Sequence, residues 1–281
     1  MSNLKKKHND NFPVGLMVSP KLKKLVKTYY EAASFADDIA DDPLLDKFQK
    51  NAKLNDIRDA FLSPDSGNNL IPVRKLGHLF VKENLDASLF TDLLKAFERD
   101  ANNRPVRIWE ELIDYCRYSA APVGRFMLAI HDESPTAYMP AENLCVILQL
   151  LDHISDIKDD LSLLNRVYIP QDALEKYNIR ISDLGLSIST PDTKQMLTEI
   201  LQKIDKMQAD SEVLPGLIKN FRLRTEVCVI LSLTNSVIKK YQKSDILQQR
   251  KKPSVTDWAW AIISAPIKAL FCKHIKQGRV L

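Results

Sequence analysis

Two acidic clusters hold the residues of this chain best suited to chemistry. The first is Asp37-Asp38-Ile39-Ala40-Asp41-Asp42. On a helix, Asp37 and Asp41 stand one turn apart on a face that also carries Tyr30 and Ser34 and runs on from the apolar Val26. The second is Asp152-His153-Ile154-Ser155-Asp156-Ile157-Lys158-Asp159-Asp160, where Asp152, Asp156 and Asp160 form an i, i+4, i+8 row. One acidic pair by itself is ordinarily a solvated helix end. Four acids at a helix C-terminus, however, oppose the helix dipole. Carboxylates on a buried helix are costly unless paired or bound to a cation, and no matching row of arginines is visible. Mg²⁺ takes oxygen ligands, one or two carboxylates per ion, and shares its remaining positions with water and substrate phosphate. Asp37, Asp38, Asp41, Asp152, Asp156 and Asp160 are therefore candidate ligands for several Mg²⁺ ions, which could in turn hold a diphosphate and make it a leaving group. His153 is offset by one position from the row and is expected to face elsewhere, in a packing or hydrogen-bonding role.

The elements that must position these carboxylates read as helices. From Pro20 to Asp42, Leu22, Val26, Tyr29 and Ala33 recur at helical spacing, and Pro43 closes the segment. Further helices are predicted over 44–62, 71–82, 86–100 and 107–130. The turn cluster Ser63-Pro64-Asp65-Ser66-Gly67 follows the first of these, and Pro122 and Gly124 mark a kink or break in the last. Residues 141–163 are apolar on every face through Leu144–Leu151, which places that helix in the centre of a bundle. A long connection covers 165–192, and helices resume over 193–210 and 215–243.

The bulk numbers agree with an all-α protein. Glycine is scarce, with 7 residues in 281, and 45% of the chain is hydrophobic. No repeat or linker divides it, so the reading is one large helical bundle around a central cavity. A loose N-terminus over 1–11, a helical domain over 12–245 and a C-terminal extension over 246–281 complete it. The net charge of +4 is mild and does not argue for nucleic acid. The four cysteines lack metal-ligand spacing and read as buried, reduced thiols of a cytoplasmic protein. No signal peptide and no transmembrane helix are expected. No nucleophile elbow, glycine-rich phosphate loop or dinucleotide fingerprint is present.

At these residues the chain resembles the squalene/phytoene synthase family of head-to-head prenyl synthases, from about Asn11 to about Trp258. The resemblance rests on Tyr30 ahead of the first cluster, the DDIADD run, Tyr115-Cys116, Gln149 ahead of the second cluster, and Arg166-Val167-Tyr168-Ile169-Pro170 after it. Asn11-Phe12-Pro13-Val14, the stretch from Asp114 to Arg125, and Asp257-Trp258 look like the hydroxysqualene synthase branch of bacterial hopanoid pathways. The resemblance implies ionisation of a prenyl or presqualene diphosphate, rearrangement of a cyclopropylcarbinyl cation and capture by water, with no nicotinamide cofactor. It implies catalytic roles for Asp37, Asp41, Asp156, Asp160, Tyr30 and Tyr115. It also implies substrate contacts at Phe12, Ser34, Ser119, Val123, Gly124, Arg125, Gln149 and Arg166, with aromatic faces steadying a carbocation.

Three positions depart from the family pattern. Ser34 stands where the family has an arginine that grips diphosphate, leaving Lys158, Arg125 or Arg166 to compensate. Asp152 replaces the asparagine that opens the second motif, and Asn165 replaces the glycine before Arg166. Two alternative functions stay open: a squalene, presqualene diphosphate or phytoene synthase joining two prenyl diphosphates, and a non-catalytic relative acting as an assembly factor. In the C-terminal extension, Lys239-Lys240, Lys243 and Arg250-Lys251-Lys252 precede an apolar run with Trp258, Trp260, Ile263 and Phe271. That pattern suits either a terminal helix packed on the bundle or peripheral contact with the inner face of an anionic membrane.

Overall fold

The structure, a computed structural model, describes residues 15–66 and 69–272. Phe12, the loose segment 1–11 and Gly67 of the turn cluster lie outside the described residues.

Helix α1 (Pro20–Asp41) starts on a proline at its first position, where the missing N–H leaves no bond unmade. It packs on α2 (Lys47–Leu62), α3 (Ile71–Lys82) and α4 (Ser88–Ala101). Asp46 opens α2 with a capping box closed by Gln49. Beneath α1 an aromatic cluster forms the floor of this half. Tyr29 stacks on Phe126 at 4.0 Å, Phe61 and Phe90 meet at 4.7 Å, and the Tyr29 hydroxyl donates to the Leu89 carbonyl oxygen.

The helix predicted over 107–130 is two helices, α5 (Trp109–Ser119) and α6 (Ala121–Ala129), broken at Ala120. Pro122 sits in the first turn of α6, where a proline is tolerated. Gly124 lets α6 approach α7 closely. A Cβ there would lie 2.8 Å from Cys145 Sγ and 3.3 Å from the Ala141 carbonyl oxygen.

Helix α7 (Tyr138–Leu164) is the central element and touches α5, α6, α9 and α11. It ends at Asn165, whose φ of 51° lies in the left-handed region. Asparagine is the residue after glycine best able to adopt that conformation. The turn sends the chain back, with the Arg166 N–H donating to the Asp160 carbonyl oxygen.

The connection over 165–192 contains a short helix, α8 (Gln171–Lys176), and a 3₁₀ turn over Ile181–Gly185. Neither is long enough to show a helical period in the sequence. Helix α9 (Pro191–Ser211) follows. The predicted helix over 215–243 is divided into α10 (Leu214–Leu217) and α11 (Phe221–Gln242), because Ile218 is extended and Asn220 caps a new start. The C-terminal helix α12 (Val255–Phe271) opens on a Ser254–Asp257 capping box and lies along α11. Among the described residues no helix is long and apolar enough to cross a membrane.

Candidate active site

The two aspartate helices line one cavity of about 610 Å³. From α1 it is lined by Lys27, Tyr30, Glu31, Ser34, Asp37 and Asp41, and from α7 by Gln149, Asp152, His153, Asp156 and Asp160. Helices α4 and α5 add Phe97, Asp100, Tyr115 and Ser119, and the segments after α7 and α11 add Arg166, Tyr168 and Arg250. The period-four spacing on both helices is what turns these side chains to one side.

The carboxylates are paired with arginines that the sequence did not show as partners. Arg166 forms a part-buried ion pair with Asp41 and donates from Nη2 to the Ala40 carbonyl oxygen at 3.0 Å. Lys50 Nζ donates to that same carbonyl at 2.8 Å. Two cations therefore stand at the C-terminus of α1, which offsets the clash between its acids and the helix dipole. Across the cavity, Arg250 Nη1 lies 2.8 Å from Asp156 Oδ1.

Arg250 is held there by a relay. Ser155 Oγ on α7 bonds the Tyr241 hydroxyl on α11 at 2.7 Å, and that hydroxyl accepts the Lys251 N–H at 3.0 Å. The residue next to Arg250 is thereby pinned to α7.

Behind the aspartates lies a buried polar and aromatic knot. Asp100 accepts the Tyr115 hydroxyl at 2.7 Å and the Tyr168 hydroxyl at 2.9 Å. Burial raises the Asp100 carboxyl above its ordinary value, against the opposing pull of Arg166 and the two tyrosine hydrogen bonds. Burial also pushes both tyrosine hydroxyls well above the usual range, so they remain donors. The His153 ring stacks on Tyr168 at 3.9 Å, and its Nε2 lies 3.3 Å from Gln149 Nε2.

Most residues expected at the site are brought together: Tyr30, Ser34, Asp37, Asp41, Tyr115, Ser119, Gln149, Asp152, Asp156, Asp160 and Arg166 all line this cavity. Four do not. Asp38 is exposed, about 100° round the helix from Asp37, and does not line it. Val123 and Gly124 border a separate, narrow apolar cavity of about 50 Å³ between α6, α7 and α11. Arg125 points to Asp92, at 2.9 Å, and to Glu142, so it is not the cation that replaces the family's arginine here. Lys158 does not line the cavity either.

His153 faces the cavity after all, because the cavity wraps more of α7 than a single stripe. Arg250 was not anticipated as a site residue. It sits in the basic run of the C-terminal extension, and nothing in its neighbours distinguishes it from the lysines beside it. A larger surface groove of about 760 Å³ lies by α4 and α5. Its charges pair with acids, as in Arg99–Asp114 and Arg107–Glu111, and it has no row of carboxylates.

Comparison with known proteins agrees with this geometry. The squalene/phytoene synthase family model matches residues 5–259. Hydroxysqualene synthase of Rhodopseudomonas palustris is 34% identical over 277 residues, 98% of this chain and 94% of the relative. Hydroxysqualene synthase of Zymomonas mobilis is 33% identical over 250 residues, 87% of this chain and 83% of the relative. The crystal structure of squalene synthase HpnC from Alicyclobacillus acidocaldarius superposes with a TM-score of 0.72 at 23% identity, covering 82% of this chain and 86% of that one. The chain belongs to the squalene/phytoene synthase family and is an all-helical enzyme of isoprenoid biosynthesis.

Proposed function

We propose that this enzyme ionises presqualene diphosphate and captures the rearranged cation with water, releasing hydroxysqualene and diphosphate. The observation that carries the proposal is the joining of two aspartate rows, two arginines and an aromatic wall in one cavity. Identity to hydroxysqualene synthases over nearly the whole chain narrows the choice within the family.

The donor set is oxygen-only, from Asp37 and Asp41 on one helix and Asp152, Asp156 and Asp160 on the other. Among the described residues no group of three or more acidic, histidine or cysteine side chains is gathered closely enough to hold a metal ion by itself. Carboxylate oxygens suit Mg²⁺, which takes one or two of them per ion and fills its other positions with water and substrate phosphate. Bound there, Mg²⁺ would supply charge neutralisation that makes the diphosphate a leaving group.

The chain's own groups do the rest. Arg166 and Arg250 pair with Asp41 and Asp156, so the cations that can meet a diphosphate are already beside the carboxylates. They supply what Ser34 lacks. Lys27 adds a further positive charge to the lining. Tyr30, Tyr115 and Tyr168 present rings to the space beyond, where an aromatic face stabilises a carbocation and keeps bulk water out. Gln149 and His153 place polar atoms in the same wall, able to hold a water close to the cation.

A greasy, water-insoluble product of this kind suits an enzyme working against a lipid surface. The test is incubation of purified protein with presqualene diphosphate and Mg²⁺ in ¹⁸O-labelled water, without nicotinamide. Diphosphate release with label in the product hydroxyl is the expected result. A hydrocarbon formed only when NADPH is added would assign the squalene synthase reaction instead. Turnover of farnesyl diphosphate alone to presqualene diphosphate or phytoene-type products would assign the coupling reaction.

A further inference from the structure

We propose that the outer face of α12 is a docking surface for an anionic phospholipid bilayer. The helix is packed the opposite way round from an ordinary surface helix, which buries its large apolar side chains and exposes its polar ones. Here the inner face is made of small residues, with Ala261, Ser264, Ala265 and Ala269 buried against the bundle. The outer face carries Trp260 and Ile263, each 67% exposed, with Ile267, Leu270 and Phe271, the last 81% exposed. Positions 260, 263, 267, 270 and 271 lie on one side of a helix. Among the described residues nothing covers them, and the helix is not one that can span a bilayer. Its 17 residues make a rod about 25 Å long, suited to lying flat at the boundary between headgroups and acyl chains.

Charge selects the occupant. From Val237 to the end, the sequence has ten Lys and Arg against two Asp, a net +8 in a chain whose total is +4. Both aspartates are already bonded within the chain. Asp245 accepts the Ser189 N–H and hydroxyl, and Asp257 is held by Lys240 and Ser254. Lys239 near the end of α11, Lys243 just after it, Lys252 just before α12 and Lys268 on α12 are all exposed, and α11 and α12 pack side by side. Anionic headgroups would meet these lysines while the stripe enters the apolar layer. A second copy of the chain would instead bring two such basic segments together, which like-charge repulsion opposes.

The experiment uses the full chain and reads no catalytic activity, so it stands or falls apart from the proposed reaction. The protein is sedimented with vesicles of phosphatidylcholine alone and of phosphatidylcholine mixed with phosphatidylglycerol, beside an Ile263→Glu/Ile267→Glu variant checked for unchanged circular dichroism. The expected result is binding to the anionic vesicles that falls with added salt and weakens at least about tenfold in the variant. Tryptophan emission should shift to the blue on binding, and less so in Trp260→Phe. Absence of binding to anionic vesicles would overturn the proposal, as would equal binding by the variant. Self-association without vesicle binding, lost in the variant, would also overturn it and make a second copy the occupant.

Discussion

Helices α7 and α12 both break the usual rule of what a helix turns inward, in opposite directions. Helix α7 sits at the centre of the bundle and carries Asp152, Asp156 and Asp160 into its interior. Helix α12 lies on the outside and turns Trp260, Ile263, Ile267 and Phe271 to solvent. The difference lies in how each departure is compensated. An uncompensated buried charge costs several kcal/mol, so it needs a partner within the fold. Arg250 and Arg166 supply that compensation on the two aspartate helices. An exposed isoleucine only forgoes a burial gain of about 1.5–3 kcal/mol. A fold can carry that and leave the partner to come from outside. The interior departure is thus answered in part from within the chain, whereas the outer one leaves its partner to come from outside.

The largest effect should come from the interior departure. Asp37→Ala or Asp156→Ala should lower Mg²⁺-dependent diphosphate release by more than about 100-fold, the scale of losing one group that stabilises developing charge. The fold should remain intact by circular dichroism. Thermal stability in the absence of metal should be unchanged or higher in Asp37→Ala, because one of several like charges around the cavity is gone. Near-wild-type turnover in either variant would mean that the rows do not serve the chemistry.

A smaller effect is expected one layer behind the aspartates. Tyr168→Phe removes one of two hydroxyl donors to Asp100 and should cost about 1.5–3 kcal/mol at neutral pH, the size of a hydrogen bond to a charged group. Its pH dependence follows from burial, which raises the folded carboxyl above its ordinary value of 3.8. The native state then binds that proton more tightly than the unfolded chain. The contribution to stability is therefore present below the unfolded value and lost as pH rises through the folded one. Losing a hydrogen bond to the charged form raises the folded value further. The stability gap between wild type and variant should accordingly widen from about pH 4 toward neutrality. A gap that is constant with pH, in urea titrations at several pH values, would mean that Tyr168 acts on Asp100 by packing alone.

Much of this arrangement was legible in the sequence, because it follows from short-range periodicity. The 3.6-residue period gave α1, α3 and α7 nearly to their ends, and the period-four spacing of the aspartates put both rows on faces that do converge. What stayed hidden depends on contacts between distant residues. Arg166 is 125 residues from Asp41, and Arg250 lies beyond the last core helix, so no local pattern joins them to their carboxylates. Asp100 reads as an ordinary acid at a helix end until Tyr115 and Tyr168 are seen to enclose it. Asn165 is intermediate. The sequence shows it as a departure from glycine, and the structure gives the reason it is tolerated, a left-handed turn that asparagine can adopt. Asn165→Gly should therefore change stability by a few tenths of a kcal/mol at most, whereas Asn165→Ala should cost about 1–2 kcal/mol. Equal stability of the two variants, by denaturant midpoint, would mean that the turn relaxes without consequence for α7.

The smallest expected effect belongs to the outer departure, and its smallness is what the comparison requires. Ile263 is 67% exposed, so Ile263→Gln surrenders little buried area. Glutamine also has a somewhat better helix propensity than isoleucine, which offsets part of that loss. Net stability in solution should stay within about 0.5 kcal/mol of wild type, as for surface substitutions generally. The urea midpoint should barely move, with the m-value unchanged. A cost above about 1 kcal/mol would show that Ile263 is packed within the fold. In that case α12 would be an ordinary capping helix, and its outer stripe would need no partner from outside. A near-zero cost leaves Ile263, in register with four other exposed apolar side chains on one face, with no role in folding, and a residue that does nothing for the fold must be explained by what the face meets.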